Sequence, residues 1–417
     1  MVKEERKFAA ELFMHGVQAA SPGAITRKAV LKYIEHFESQ PVTIIATGKA
    51  SLPMVSGAFD ALGRSNIVRA IAVTNRENLG EMQDIDVFPA GHPVPDQQGL
   101  SAAEAVIDCA SSLTESDVLL FLVSGGTSAM LPAPAGELTL DDEISATQAL
   151  LASGAPIDAV NAIRSNISKI KGGGLSAIAG KATVVTLMLS DVPGDDPAVI
   201  GSGPTIPTRA SSDDLAAIIS TYDLDQRLSK PVLNQILHGA GSRPPELGLR
   251  VAEVIGSNKI SLDAVISAAQ ELGHQVEVIS EWLDGDVDQA AQEFTLAAGQ
   301  CKHRPAVLVA GGETTVQLVG DGMGGRNQEL ALRFAKHARE LSGPWVFLSG
   351  GTDGRDGPTD AAGGLVDHTS LSRIGTEAVE MALANNDTYR ALERSGDLLM
   401  TGATGTNVAD LQILLLL

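Results

Sequence analysis

Short, continuously apolar runs recur along this 417-residue chain, and nearly every one ends in a loop of Gly, Ser, Thr and Asp. Ten runs read as strands: 42–46, 68–73, 118–123, 183–189, 251–255, 275–279, 306–310, 314–319, 345–348 and 398–401. Most lack polar alternation, the pattern of strands covered on both faces. Between them lie helical patterns at 102–113, 140–153, 157–170, 261–272, 288–302 and 327–341. Strand–helix alternation predicts βαβ units and an α/β fold with largely parallel, partly mixed sheets. The final "LQILLLL" reads as a buried last strand, not a tail. A Gly- and Pro-rich stretch without periodicity, "HGAGSRPPELGLR" (His238 to Arg250), marks the expected boundary between an N-terminal domain (1–238) and a C-terminal domain (251–417).

The formal net charge of −21 repels phosphate backbones, and aromatics make up only 3%, so nucleic acid is not an expected partner. An anionic ligand would need a local island of cations and backbone N–H groups. The two cysteines, Cys109 and Cys301, form no C-x-x-C motif, which excludes a disulfide framework or thiolate metal site. The longest apolar runs fall far below the ~20 residues that span a bilayer. "MVKEERKFAAELF" is amphipathic and unlike a signal peptide. A soluble cytoplasmic protein is expected.

Ligands of open α/β sheets bind beyond the carboxyl ends of the strands. The loops there are "TGKAS", "SGGTSAM", "SDVPGDDPAVIGSGPT", "GGETT", "SGGTDGRDGPTDAAGG" and "GATGTN", spread over both halves. Together they read as a ligand cleft between two domains. "VGDGMGGRNQEL" contains G-x-G-x-x-G at Gly320, Gly322 and Gly325. It fails as a dinucleotide fingerprint. The preceding run alternates polar and apolar, the helix opens on four large polar residues, and the next acid, Asp353, lies too far on. The same loop offers backbone donors, a helix N-terminus and Arg326, a set suited to phosphate; a structural glycine loop with a paired Arg is the other reading.

Lys49 follows a strand at a helix N-terminus, but "ATGKAS" lacks the first Gly of a P-loop. "SGGTSAM" presents amides and the hydroxyls of Ser124, Thr127 and Ser128, either to an anion or as helix caps. Asp191 lies just past a strand, as a metal ligand or general base; of Asp195 and Asp196, at least one reads as a cap before "PAVIG" and metal binding is the other reading. Asp353, Asp356 and Asp360 could hold Mg²⁺, accept a proton, or build a turn network. Arg164 and Lys171, seven apart on or just after the helix, share a face and could bind an anionic phosphate or carboxylate; Lys169 is near neither, and a solvated helix face is the other reading. No histidine pair has zinc spacing, and no nucleophile elbow occurs.

Several stretches are recognisable as a set and in order. They are "GKAS", "GHPVPD", "LVSGGTSAMLPAP", "IKGGGLS", "SDVPGDDPAVIGSGPT", "GGETTV", "GGRNQE", "GTDGRDGPTDAAGG" and "GATGTNVADL". Over nearly its whole length the chain resembles the glycerate 2-kinase family, whose C-terminal part is the MOFRL domain (here about 305–411). Thr127 stands where many members carry another Gly. The resemblance implies two α/β domains, the first Rossmann-like, with the site in their cleft. It implies phosphoryl transfer from ATP to the 2-hydroxyl of D-glycerate with Mg²⁺. Lys49, Arg326 and Asp191 are then the expected catalytic residues. Ser124, Gly125, Gly126, Thr127, Ser128, Lys171, Gly312, Glu313, Thr314, Gly325 and Asn327 are expected to bind nucleotide or substrate. Asp191 and Asp353 are the metal candidates, and a homodimer is the candidate assembly. Family members have often been labelled hydroxypyruvate reductases; that NAD(P)H-dependent activity is the alternative, and the failed fingerprint speaks against it.

Overall fold

The computed structural model describes residues 2–38, 40–207, 210–239 and 246–417. The chain forms two compact units, Pro22–Ile255 and Met1–Ser21 with Gly256–Leu417. The unit limits differ from the expected ranges 1–238 and 251–417. Residues 240–245 of the expected boundary lie outside the described residues. The strand after that stretch joins the first unit's sheet, and the N-terminal helix packs in the second unit.

The first unit holds a six-stranded sheet of β1 (Val42–Thr47), β2 (Ile67–Asn75), β3 (Asp86–Ala90), β4 (Val118–Val123), β5 (Thr183–Leu189) and β6 (Arg250–Gly256). Their order is β3-β2-β1-β4-β5-β6, with parallel pairing from β3 through to β5. β1 and β4 are buried at every position, as their unbroken apolar runs require. β3 was not expected: it is short, edge-placed, and carries Pro89. The strand order reverses between β1 and β4, the switch point where the loops at the strand ends diverge and leave a crevice.

The second unit's sheet contains β7 (Gln275–Leu283), β8 (Ala306–Gly312), β9 (Trp345–Gly351), β10 (Gly363–Asp367), β11 (Leu398–Leu399) and β12 (Asp410–Leu416), in the order β11-β10-β9-β12-β8-β7. Only β7 and β8 pair in parallel; β12 inserts antiparallel between β8 and β9, and β10 and β11 continue antiparallel. This sheet is therefore mixed. The final "LQILLLL" forms most of the fully buried central strand β12, in line with the buried last strand expected. Helix Val2–Ala19 buries Ala9, Leu12, Phe13 and Val17 as an amphipathic stripe on this unit. Arg6 fastens it, with Nη1 2.7 Å from a carboxylate oxygen of both Asp367 and Asp397.

Two expected elements differ. Residues 314–319 form no strand. Thr315 makes an isolated bridge to Asp286, and the Val319 N–H donates to the Asn386 side chain at 2.7 Å, so no sheet partner remains for that backbone. The helix expected over 157–170 ends at Asn166. Ser168 then bridges antiparallel to Pro134, which takes Lys169 and Lys171 off the helix.

Candidate active site

At the switch point of the first sheet, the loops after β1 and β4 are tied together. The Lys49 N–H donates to the Gly125 carbonyl at 3.0 Å, and the Ala50 N–H to Ser124 Oγ at 3.0 Å. Gly48 makes this approach feasible: its φ is +109°, and a Cβ there would lie 2.3 Å from Ser124 Oγ. The hydroxyls of Ser124 and Thr127 turn inward and donate to the Thr47 carbonyl at 3.2 and 3.1 Å. They lock the loop, the cap-like alternative of the sequence reading. The Lys49 side chain is left half-buried.

Asp191, half-buried just past β5, faces the Lys49 charge. Burial pushes its carboxyl above the ordinary range, and Lys49 opposes the shift. His92, of the "GHPVPD" loop, lies beside Gly126. Burial lowers its pKa, Lys49 lowers it further, and Glu77 opposes, which favours neutral imidazole. Lys49, Asp191 and His92 are thus one electrostatic group. Asp96, the last residue of that loop, caps helix Gln97–Ser111 through the Gly99 N–H at 2.8 Å. Asp196 likewise accepts the Ala198 N–H at 2.9 Å, as the cap reading required.

A second polar cluster lies in the same unit. Lys171, expected to meet nucleotide or substrate, is only 4% exposed and ion-paired with Glu143, whose other oxygen accepts the Ala133 N–H at 3.1 Å. Lys171 holds the fold around Glu143. Arg164 Nη2 donates to Ser128 Oγ, which lies 2.9 Å from Ser202 Oγ.

In the second unit, Arg326 begins helix Arg326–His337. Asp410 clasps its guanidinium, Nε to Oδ2 at 2.6 Å and Nη2 to Oδ1 at 2.9 Å, and Nη1 lies 3.0 Å from Glu313 Oε1. Burial opposes its charge, but the Asp410 and Glu313 carboxylates raise its pKa and keep it a permanent cation. The helix N-terminus is not open to a phosphate. Asp356, 2% exposed, accepts the N–H groups of Asn327 at 3.1 Å and Gln328 at 2.8 Å. Asn327, expected to bind ligand, is fully buried between Asp356 and Ser349. The glycines of the loop serve close packing. A Cβ on Gly320 or Gly322 would meet the Asn385–Asp387 backbone at 2.6 Å, and one on Gly325 would lie 2.3 Å from Asp356 Cγ. Three of the loop's amides are spent as well: Gly320 donates to Asn386, Gly322 to the Asn385 carbonyl, and Met323 to Asp387. Gly312 ends β8 against Leu283. Thr314 is buried, and its hydroxyl has no partner among the described residues.

Asp353 accepts the Arg355 N–H at 2.9 Å, and Asp360 accepts the Tyr389 hydroxyl at 2.7 Å. The metal candidates Asp191 and Asp353 fall in different units. Among the described residues, no three His, Cys, Asp or Glu side chains gather to hold a metal. Mg²⁺ commonly takes one or two protein carboxylates plus phosphate oxygens and waters. Asp191, a carboxylate just past the end of β5, fits such a contact in its ionised form, which the Lys49 charge favours.

Sequence reasoning did not assign roles to Asp410, Glu143 or Ser202. Asp410 was visible as an acid beside the last strand. Nothing local in the sequence points from Glu143 to Lys171 or from Ser202 to Ser128.

Comparison with known proteins accounts for the full length. A family model described as a domain of unknown function, DUF4147, matches residues 8–237, and the MOFRL family model matches 306–410. A protein of Thermotoga maritima named D-glycerate 2-kinase is 37% identical over 98% of this chain and 97% of its own. An Agrobacterium vitis protein provisionally named hydroxypyruvate reductase is 36% identical over 95% of this chain and 92% of its own. The crystal structure of glycerate kinase from Thermotoga maritima superposes with a TM-score of 0.90 at 35% identity, covering 100% of both chains. With similarity of this extent, the chain belongs to the glycerate 2-kinase family, with DUF4147 and MOFRL regions in that order.

Proposed function

We propose that this protein is a glycerate 2-kinase that transfers the γ-phosphoryl group of ATP to the 2-hydroxyl of D-glycerate. The observation that carries the reading is 37% identity, over 98% of the chain, with a D-glycerate 2-kinase, with the Lys49 charge acting on Asp191 at the strand ends of the first sheet. Phosphoryl transfer asks chiefly for positioning and charge stabilisation. Lys49 supplies a cation for the transferring group. Arg326, held by Asp410 and Glu313, supplies a second whose direction is set before substrate arrives. Asp191, with its raised pKa, is suited to take the proton of the attacking hydroxyl. Mg²⁺, entering with the nucleotide, would neutralise phosphate charge, with Asp191 as a carboxylate that would hold it.

The competing name, hydroxypyruvate reductase, finds no support in the glycine loop. The amides of Gly320, Gly322 and Met323, and those of Asn327 and Gln328 at the following helix N-terminus, are occupied by the protein's own groups and are not offered to a pyrophosphate. The deciding experiment incubates the protein with D-glycerate, ATP and Mg²⁺, resolves 2- from 3-phosphoglycerate, and runs hydroxypyruvate with NADH in parallel. Formation of 2-phosphoglycerate without NADH oxidation is expected; NADH oxidation alone overturns the reading. No helix among the described residues is long and apolar enough to cross a membrane. A cytoplasmic location and a homodimer belong to the same proposal, read by cell fractionation and light scattering.

A further inference from the structure

The cluster around Arg164 is not explained by fold maintenance alone. Arg164 lies on helix Ile157–Asn166, one turn beyond Asn161. Ser128 is the second residue of the short helix Thr127–Met130 in "SGGTSAM", a segment whose Gly125 carbonyl holds the Lys49 backbone. Ser202 comes from the loop after β5, the loop that also carries Asp191. Its φ of +63° is a left-handed conformation uncommon for a side-chain-bearing residue. That geometry brings Ser202 Oγ within 2.9 Å of Ser128 Oγ and 3.4 Å of Asn161 Oδ1. Three segments remote in sequence thus converge their polar tips on one point.

The convergence leaves donors over. Arg164 Nη2 is bonded to Ser128, but Arg164 Nε and Asn161 Nδ2 are buried atoms with no partner among the described residues. A buried N–H without an acceptor is costly and calls for one. Nε and Nη2 lie on the same edge of a guanidinium, the edge that grips a planar oxyanion by two parallel hydrogen bonds. The charge is also unbalanced. Glu143 is one carboxylate against two cations, Arg164 and Lys171, and it is already committed to Lys171 and the Ala133 N–H. In a chain of net charge −21, one excess part-buried positive charge marks a place for one negative charge.

We infer that Arg164, Asn161, Ser128 and Ser202 form a carboxylate subsite that anchors the acid group of the hydroxy-acid substrate. The inference rests on the kinase reading above. A monoanionic carboxylate matches the single excess charge and the single guanidinium edge, whereas a nucleotide polyphosphate brings several charges that these groups do not balance. Anchored there, the acid group would hold the substrate on the loops that carry Lys49 and Asp191.

The test is steady-state phosphorylation of D-glycerate and of its uncharged amide, glyceramide, by the unsubstituted protein, R164Q, R164K and S128A. R164Q is expected to raise KM for D-glycerate about 100-fold, leave KM for ATP within about twofold, and erase most of the preference for glycerate over glyceramide. R164K, which keeps charge but loses the fork, should fall between. A rise in KM for ATP instead of glycerate overturns the assignment in favour of a nucleotide phosphate, and unchanged kinetics overturn it outright. If R164Q does not fold by circular dichroism, S128A decides: a raised glycerate KM at constant ATP KM supports the subsite, and no change overturns it. Should the unsubstituted protein phosphorylate nothing, the kinase reading falls and calorimetric titration of D-glycerate tests the subsite alone. Binding lost in R164Q supports it; equal binding, or none, overturns it.

Discussion

Asp410 holds Arg326 by both carboxylate oxygens, at 2.6 and 2.9 Å, from a position fully buried at the start of the central strand β12. Substituting D410N keeps the shape but turns an amide NH₂ toward guanidinium N–H donors. We expect kcat to fall at least tenfold, with a loss of about 2 kcal/mol in stability, since charged hydrogen bonds contribute about 1.5–3 kcal/mol. Kinetics and urea unfolding on the same preparation read both effects. Unchanged kcat would mean that the clasp does not orient Arg326 for the reaction.

Lys49 opposes the burial that raises the Asp191 pKa. K49M is therefore expected to do two things. It should lower kcat by about 10²–10³, the usual effect of removing one charge-stabilising donor. It should also move the acid limb of the kcat/KM pH profile to higher pH, because Asp191 loses the cation that favours its ionised form. A residual profile with an unmoved acid limb would rule Asp191 out as the group titrating there.

Asp356 is pushed up to about 6 from 3.8, first by burial and then by Asp410, against the N–H groups of Gln328 and Asn327 and the charge of Arg326. A carboxyl whose folded pKa is raised favours folding most when protonated. Its contribution is full below pH 3.8 and is lost as pH rises through about 6. The difference corresponds to about 3 kcal/mol, at 1.36 kcal/mol per unit. D356N, neutral throughout, should gain on the unsubstituted protein by that order between pH 4 and 7. Parallel unfolding curves across this range check it, and a constant difference would refute it.

Gly325 abuts the Asp356 carboxyl so closely that any Cβ must displace it. G325A should destabilise by about 1–3 kcal/mol, the cost of overpacking, and lower the melting temperature. A loop whose glycines served a bound phosphate would show the opposite pattern: raised KM for ATP at an unchanged melting temperature.

The unbroken apolar runs at 42–46 and 118–123 were sufficient to place β1 and β4, because a strand covered on both faces has no polar positions to alternate. The placement of Lys49 and Asp191 at strand ends was legible for a related reason: each closely follows such a run, where α/β sheets bind ligands. The strand expected at 314–319 failed because alternation records half-exposure, and a loop strapped across Asn386 is half-exposed too.

The sequence alone carried the fold class, the strand ends that bear Lys49 and Asp191, and the resemblance that spans the chain. Long-range packing settled what each charged group is for. Lys171 looked like a ligand-facing cation, but Glu143, 28 positions away, claims it. The helix N-terminus at Arg326 looked like a phosphate grip until Asp356, 29 positions from Asn327, was found capping it. Arg326 could be read as a phosphate-facing or a paired cation, and the pairing is with Asp410, 84 positions on. Local pattern records burial and backbone period, both set by near neighbours. The partner of a charge is set by which strands the sheet makes adjacent, and β12 comes to lie between β8 and β9 only in the folded chain.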